Sequence, residues 1–305
     1  MNFTRKGPGD MEPTNISEWW ESEDDDGDGI KSGVSYEQYR SMPGVNVSSL
    51  KELRRSPLHY RHRLASPKTS DALTLGTAAH VATLEPHRYS EAFAVWDRKT
   101  ETGRSAPRTG KAWDAFLEQN AGRTILTVEE HETAQAIASA VRSDPTAARY
   151  LRRGLPEVSM QWESRGALLK GRVDWLTELD GVDVVVGLKT TRDCRPGEFG
   201  RQAHRLGYHL QWAYYHDGFQ AVRGVAPYMV EIVVESEAPY AVAVYTIPET
   251  VLSLGREEYI ELLEMLRDCQ ASAVWPGPVP HETELTFPAW AYGAGEEITI
   301  EDAEV

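Results

Sequence analysis

Sulfur is scarce in this chain. Two cysteines among 305 residues, Cys194 and Cys269, are too few for a disulfide framework, a four-cysteine zinc site or a four-cysteine iron–sulfur cluster. Cysteine-held cofactors are excluded. Long apolar runs are also missing: no stretch reaches the 18 or more apolar residues of a membrane-spanning helix, and the opening MNFTRKGPGDMEPT has no apolar centre of a signal peptide. The expected location is the cytoplasm. Positive charge is in deficit, with 32 Lys and Arg against 47 Asp and Glu and a formal net charge of −15. So acidic a chain is not an obvious nucleic-acid binder.

The acidity is uneven. Residues 1–40 carry a formal charge of −6 and residues 257–305 carry −11, which leaves +2 for residues 41–256. Within that middle, Lys51, Arg54, Arg55, Arg61 and Arg63 lie close together with His59 and His62, and Arg192, Arg195, Arg201 and Arg205 form a second group. Such clusters suit phosphates, although ordinary solvated helix faces have the same composition. The run Asp24-Asp25-Asp26-Gly27-Asp28-Gly29 partly follows a calcium loop, but Lys31 and Ser35 occupy its apolar and terminal-acid positions. A mobile acidic leader over residues 1–29 fits that composition better.

With 41% hydrophobic and 9% aromatic residues the chain can build a sizeable core. Ser48 or Ser49 is expected to cap a short helix ending at Arg55, and Pro57 to open another. DALTLGTAAHVATLE reads as a helix of small residues that permits close backbone approach, a helix is expected over 109–120, and Thr127 with Glu130 forms a capping box. The front third is thus expected to be mostly helical. Strands follow at VSMQWES, ALLKGRVDWLTEL and VDVVVGLKTT, with a hairpin turn at Asp180-Gly181, and the third is apolar enough to be covered on both faces. A helix from Pro196, the amphipathic HLQWAYYHDGFQAV, strands YMVEIVVES and YAVAVYTI, and a long helix over 249–270 complete the order. That order predicts an α/β (α+β) fold, a central mixed sheet flanked by helices over residues 30–274, followed by a Pro, Gly and acid-rich tail at 275–305.

Few residues here bear chemistry. Asp174 in KGRVDWL and Lys189 in GLKTT lie on strands that a hairpin sets side by side. A carboxylate that holds a divalent metal, next to an ammonium that orients water or steadies developing charge, suits phosphodiester hydrolysis; an inter-strand salt bridge accounts for the pair equally well. His80, alone among small apolar residues, reads most simply as a satisfied core histidine. Gln211 and Tyr215 share a helix face with aromatic neighbours, the usual pattern of a core stripe with a polar rim. Gly187-Leu188-Lys189-Thr190 is not a phosphate-binding loop, since no glycine-rich segment precedes it.

Taken in order, LGTAAH, KGRVDWL, GLKTT and HLQWAYY resemble the RecB-type branch of the PD-(D/E)XK nucleases, and most closely the RecE-like phage exonucleases of the exodeoxyribonuclease VIII type. The likeness extends from about residue 30 to residue 292. It implies a restriction-endonuclease-like core and Mg²⁺- or Mn²⁺-dependent digestion of double-stranded DNA from 5′ ends, leaving a 3′ strand for a single-strand annealing recombinase. It further implies a homo-oligomeric ring around DNA. By motif, His80 and Asp174 would be metal ligands together with the Leu188 carbonyl, and Lys189 the catalytic lysine. Gln211 and Tyr215 match the family's Q-x-x-x-Y helix beside DNA, with Arg54 and Arg55 as further DNA contacts and Glu157 as an additional acid.

One position departs from the family. Its third motif reads Asp-Leu-Lys-Thr-Thr, whereas this chain has Gly187 where the second metal-binding carboxylate belongs. Asp183 is too far to replace it, about 13 Å along a strand. Three readings stay open: an engineered inactive form, a natural non-cleaving relative that binds DNA ends or assists recombination, and a site that recruits another acid such as Glu157 or Glu163.

Overall fold

The structure, a computed structural model, describes residues 30–66, 71–100, 106–279 and 281–287, with 71–73 described by backbone alone. The acidic leader, its calcium-loop-like run and the end of the tail lie outside these residues.

Six strands form the central sheet in the order β1 (Ile30–Lys31), β4 (Leu155–Ser164), β5 (Ala167–Leu179), β6 (Val182–Thr191), β7 (Tyr228–Glu235), β8 (Val242–Thr246). Asp180 and Gly181 turn the β5–β6 hairpin with φ of 55° and 78°, the left-handed pair that matches strand twist in a two-residue loop. β6 and β7 run parallel, with Gly187 opposite Glu231 and Lys189 opposite Val233; the other pairings are antiparallel. As a central strand, β6 buries Val184, Val185, Val186 and Leu188 on its two faces.

Each face of the sheet has its own apolar layer. On one side lie α9 (Pro196–Arg205), α10 (Tyr208–Arg223) and α11 (Glu249–Ser272), whose Phe199, Leu210, Tyr214, Phe219 and Leu262 meet Val158, Met160, Val185 and Val233. On the other side α4 (Asp71–Leu84), α7 (Val128–Ser143) and α8 (Pro145–Leu151) set Ala78, Ala79, Ile137, Val141 and Ala147 against Val184, Val186, Ile232 and Val234. The small residues of α4 do what their size permits: Ala78 and Ala79 are fully buried, and Gly76 lies against Thr190 of β6. No helix among the described residues is long and apolar enough to cross a membrane.

Side-chain capping explains five of the helix starts. Thr127 and Glu130 form the expected capping box, Glu130 N–H donating to Thr127 Oγ1 at 3.0 Å and Thr127 N–H to Glu130 Oε2 at 2.7 Å. The first basic segment differs from expectation. Asn46, not Ser48 or Ser49, caps α2 (Val47–Leu50), and a 3-10 turn, Lys51–Arg54, continues it. Burial decides this, because Val47, Leu50 and Leu53 recur every third residue, the period of a 3-10 helix, and all three enter the core.

The front part is mostly helical, as expected, and adds three short strands. β1 joins the main sheet, and β2 (Phe93–Trp96) pairs in parallel with β3 (Thr124–Thr127) as a separate two-stranded sheet. Four-residue strands leave too short a pattern to be read from sequence. Past α11 the chain returns to α3 (Pro57–Ala65), where Trp275 stacks on Tyr60 at 6.0 Å and Leu58 N–H donates to the Pro276 carbonyl.

Candidate active site

The site begins where the β5–β6 ladder stops. Pairing between the strands ends at Trp175 opposite Val186, and the next residue outward on β5 is Asp174. Its carboxylate replaces the missing ladder partner: Leu188 N–H donates to Asp174 Oδ2 at 2.9 Å. A splayed hairpin thus presents a carboxylate between two strands.

Lys189 lies on the same face of β6 as Gly187, two residues along. Its ammonium is 3.4 Å from Asp174 Oδ2, 3.4 Å from the Leu188 carbonyl and 3.5 Å from Glu231 Oε1. Three oxygens therefore surround one cationic nitrogen, each farther than the roughly 2.7–2.9 Å of a close charged hydrogen bond. Burial disfavours the Lys189 charge, but Asp174 and Glu231 outweigh it and hold the ammonium protonated far above the usual range. For Asp174 burial is likewise outweighed, by Lys189 and His80, and its carboxyl is held well below the ordinary range.

On its other side Asp174 meets α4. His80 Nε2 is 3.4 Å from Asp174 Oδ2, and His80 Nδ1 is 3.2 Å from Glu157 Oε1. Burial opposes protonation of His80, yet the two carboxylates raise its pKa to about 10. Glu157 is held in turn by Arg172, with Nε 2.6 Å from Oε2. Its φ of 54° is a left-handed conformation that costs a non-glycine residue about 1–3 kcal/mol, and it sits directly across β4–β5 from Asp174. The result is an alternating row, Arg172, Glu157, His80, Asp174, Lys189, Glu231, in which every charge has an opposite neighbour.

α10 closes the cleft. Gln211, Trp212 and Tyr215 line it together with Asp174, Gly187, Lys189 and Glu231. Burial pushes the Tyr215 hydroxyl far above its normal pKa, so it remains a neutral donor. Lys51 reaches in from the 3-10 turn, its Nζ 3.3 Å from Gln211 Oε1 and 5.3 Å from the Tyr208 ring; burial and then Lys189 lower its pKa to about 7.

The structure thus gathers Asp174, Lys189, His80, Glu157, Gln211, Tyr215 and the Leu188 carbonyl around Gly187. Arg54 is engaged elsewhere: its Nε meets Glu258 at 2.7 Å and its guanidinium donates to the Arg205 carbonyl, which fastens the 3-10 turn to α9 and α11. Arg55 remains an exposed cation beside Glu52. Glu163 is exposed and pairs with Leu168 at the far end of the β4–β5 hairpin, about 20 Å of strand from Asp174. It takes no part. Asp183 lies 3.9 Å from Arg223, also away from the cleft.

Sequence reasoning missed Glu231, Arg172 and Trp212. Glu231 had a visible signal, since it is the lone acid inside the apolar run of β7. It is 1% exposed, and the Trp212 indole N–H donates to its Oε2 at 2.5 Å.

Among the described residues no three His, Cys, Asp or Glu side chains converge on one point. The oxygens that do converge, around Lys189 Nζ, are two carboxylates and a main-chain carbonyl. Hard oxygen donors of this kind suit Mg²⁺ or Mn²⁺. Glu231 Oε1 also accepts no hydrogen bond from a described residue although it is buried. The residues present therefore fit a divalent cation.

Comparison with known proteins bears on the same region. Residues 46–281 match the family described as a PDDEXK-like domain of unknown function, DUF3799. Among solved structures, a "putative exonuclease" from Eubacterium rectale superposes with a TM-score of 0.57 at 15% identity, covering 87% of this chain and 100% of that one. SSO0001 has a TM-score of 0.34 at 14% identity over 74% of this chain and 81% of its own. Protein VC1899 from Vibrio cholerae has 0.21 at 9%, over 80% and 59%. A search of curated proteins found no match.

Proposed function

The chain belongs to the PDDEXK-like DUF3799 family, and from that premise we propose that it is a metal-dependent nuclease acting on double-stranded DNA ends. The observation that carries this reading is the splayed β5–β6 hairpin, which places the Asp174 carboxylate and the Leu188 carbonyl each 3.4 Å from the Lys189 ammonium. A salt bridge made only for stability has no need of a broken ladder or of a cleft walled by Gln211 and Tyr215.

Each residue has a definite task in this reading. Asp174 and the Leu188 carbonyl would hold the cation, which when bound supplies Lewis acidity toward the phosphate and lowers the pKa of water. Lys189, permanently protonated, orients the attacking water and steadies negative charge that develops on the phosphate. His80, Glu157 and Arg172 hold Asp174 in place as a charged strut. Gln211, Tyr215 and Lys51 line the approach and position the strand, and Arg55 adds an exposed cation for a neighbouring phosphate. The charge of +2 over residues 41–256 permits such a path, because the acidic excess lies toward the two ends.

Digestion in the 5′-to-3′ direction, supply of a 3′ strand to an annealing recombinase and assembly as a ring are the finer form of the same proposal, supported by the ordered motifs. End-labelled linear duplex incubated with Mg²⁺ or Mn²⁺ tests it: the protein is expected to degrade the duplex and Asp174→Asn to leave it intact. Gly187 favours a second reading, a DNA-end binder that does not cut. Under that reading duplex ends are bound with strong salt dependence and stay whole with either metal.

A further inference from the structure

We propose that Glu231 supplies, from the neighbouring strand, the second metal-binding carboxylate that position 187 lacks. The inference rests on the nuclease reading above and concerns which residues complete that site.

Strand register is the first ground. Gly187 and Glu231 are direct partners across the parallel β6–β7 pair, so side chains at the two positions leave the same face of the sheet side by side. A glutamate is one methylene longer than an aspartate, which offsets its start one strand away.

Occupied space is the second ground. A Cβ placed on Gly187 would lie 2.4 Å from Glu231 Oε2, 2.6 Å from Oε1 and 2.7 Å from the carboxyl carbon. The Glu231 carboxylate therefore fills the volume where an aspartate at 187 would stand, and glycine at 187 leaves room for it. Two positions have exchanged one functional group.

Chemistry is the third ground. Glu231 Oε1, the Leu188 carbonyl and Asp174 Oδ2 surround a common point, now held loosely by Lys189 Nζ at 3.4–3.5 Å. Glu231 Oε2 is fixed by Trp212, which leaves the unsatisfied Oε1 aimed at that point. An acid buried in an otherwise apolar central strand is costly, and a strand without a task for it would be served better by valine. The other acids do not compete: Glu163 is remote, and both oxygens of Glu157 are taken by His80 and Arg172.

Mn²⁺ binding to the full chain, read by calorimetry and by electron paramagnetic resonance, tests the assignment apart from cleavage. Glu163→Gln is expected to bind as wild type. Glu231→Gln keeps an acceptor for Trp212 but loses the charge, and is expected to bind about tenfold or more weakly. The exchange variant Gly187→Asp/Glu231→Val is expected to bind within about threefold of wild type, the carboxylate having moved back one strand. A folded Glu231→Gln that binds Mn²⁺ as wild type overturns the inference; if wild type also cuts DNA, the nuclease reading survives that loss. Should Glu231→Gln fail to fold, the exchange variant decides: binding supports the assignment, and its absence in a folded protein overturns it. A wild type that neither binds Mn²⁺ nor cuts overturns both.

Discussion

Placing at position 187 the aspartate of the RecE-like motif that this chain resembles is predicted, by itself, to damage this protein. Gly187→Asp drives a side chain into the Glu231 carboxylate, whose oxygens lie 2.4 and 2.6 Å from the new Cβ. Glu231 is fully enclosed and tied to Trp212, so it yields only by disturbing the core, and overpacking of this kind costs about 1–3 kcal/mol. Charge adds to that. Two carboxylates in contact cannot both ionise, and keeping one protonated at pH 7 costs about 4 kcal/mol for an ordinary carboxylate pKa near 4.3. The total of about 5–7 kcal/mol is a large share of a domain stability of about 5–15 kcal/mol. At about 2–4 °C per kcal/mol for a domain of this size, Tm should fall by about 10–28 °C. Adding Glu231→Val removes the clash and the like charge together, so the double variant should recover most of the loss. Thermal and urea unfolding of wild type, both single variants and the double variant form a cycle with an expected coupling of about 3–5 kcal/mol. Additive effects, or a Gly187→Asp protein as stable as wild type, would refute the claim that the two side chains share one volume.

Further expectations concern the lysine and the helix layer. Lys189→Met should abolish cleavage yet enlarge the Tm shift produced by Mn²⁺, because the competing ammonium is gone while Asp174 and Glu231 remain; a smaller shift than wild type, by scanning calorimetry, would contradict this. Gly255→Ala should destabilise the protein by about 1–3 kcal/mol in urea unfolding, since its Cβ would lie 2.0 Å from the His209 carbonyl oxygen where α11 crosses α10. Asp217 receives Arg256 through two bonds of 2.7 and 2.8 Å and the Tyr259 hydroxyl at 2.7 Å. Burial is outweighed by His216, Arg256 and Tyr259, so its carboxyl is held well below its usual 3.8. Its contribution is complete above pH about 4 and is lost as pH falls through the depressed folded value. Asp217→Asn should therefore cost about 2 kcal/mol at pH 7 and flatten the acid side of the stability profile, measured by urea unfolding between pH 2 and 6.

Much of the architecture was legible because local signals agreed with global ones. Thr127 and Glu130 mark a helix start by their own hydrogen bonds, and Asp180-Gly181 marks a hairpin by its φ values. A nearly continuous apolar run marks β6 as a strand covered on both faces. The brief β2–β3 pair was hidden, because four residues carry no period. Arg54 shows a different limit: a basic cluster looks alike whether its members face phosphate or, as here, Glu258 and a helix end.

The site divides along the same line. The order of its motifs, the pairing of Asp174 with Lys189 and the helix bearing Gln211 and Tyr215 follow from sequence alone, because each is set by residues close together in the chain or by one hairpin. What stands opposite Gly187 does not. Glu231 is 44 positions away, and only the parallel pairing of β6 with β7, made across two intervening helices, sets its carboxylate over the glycine. Sequence determined that a charge was missing from the motif. Tertiary structure alone decided that a carboxylate from another strand occupies the volume at Gly187, since which side chains share a volume is fixed by strand register and not by distance along the chain.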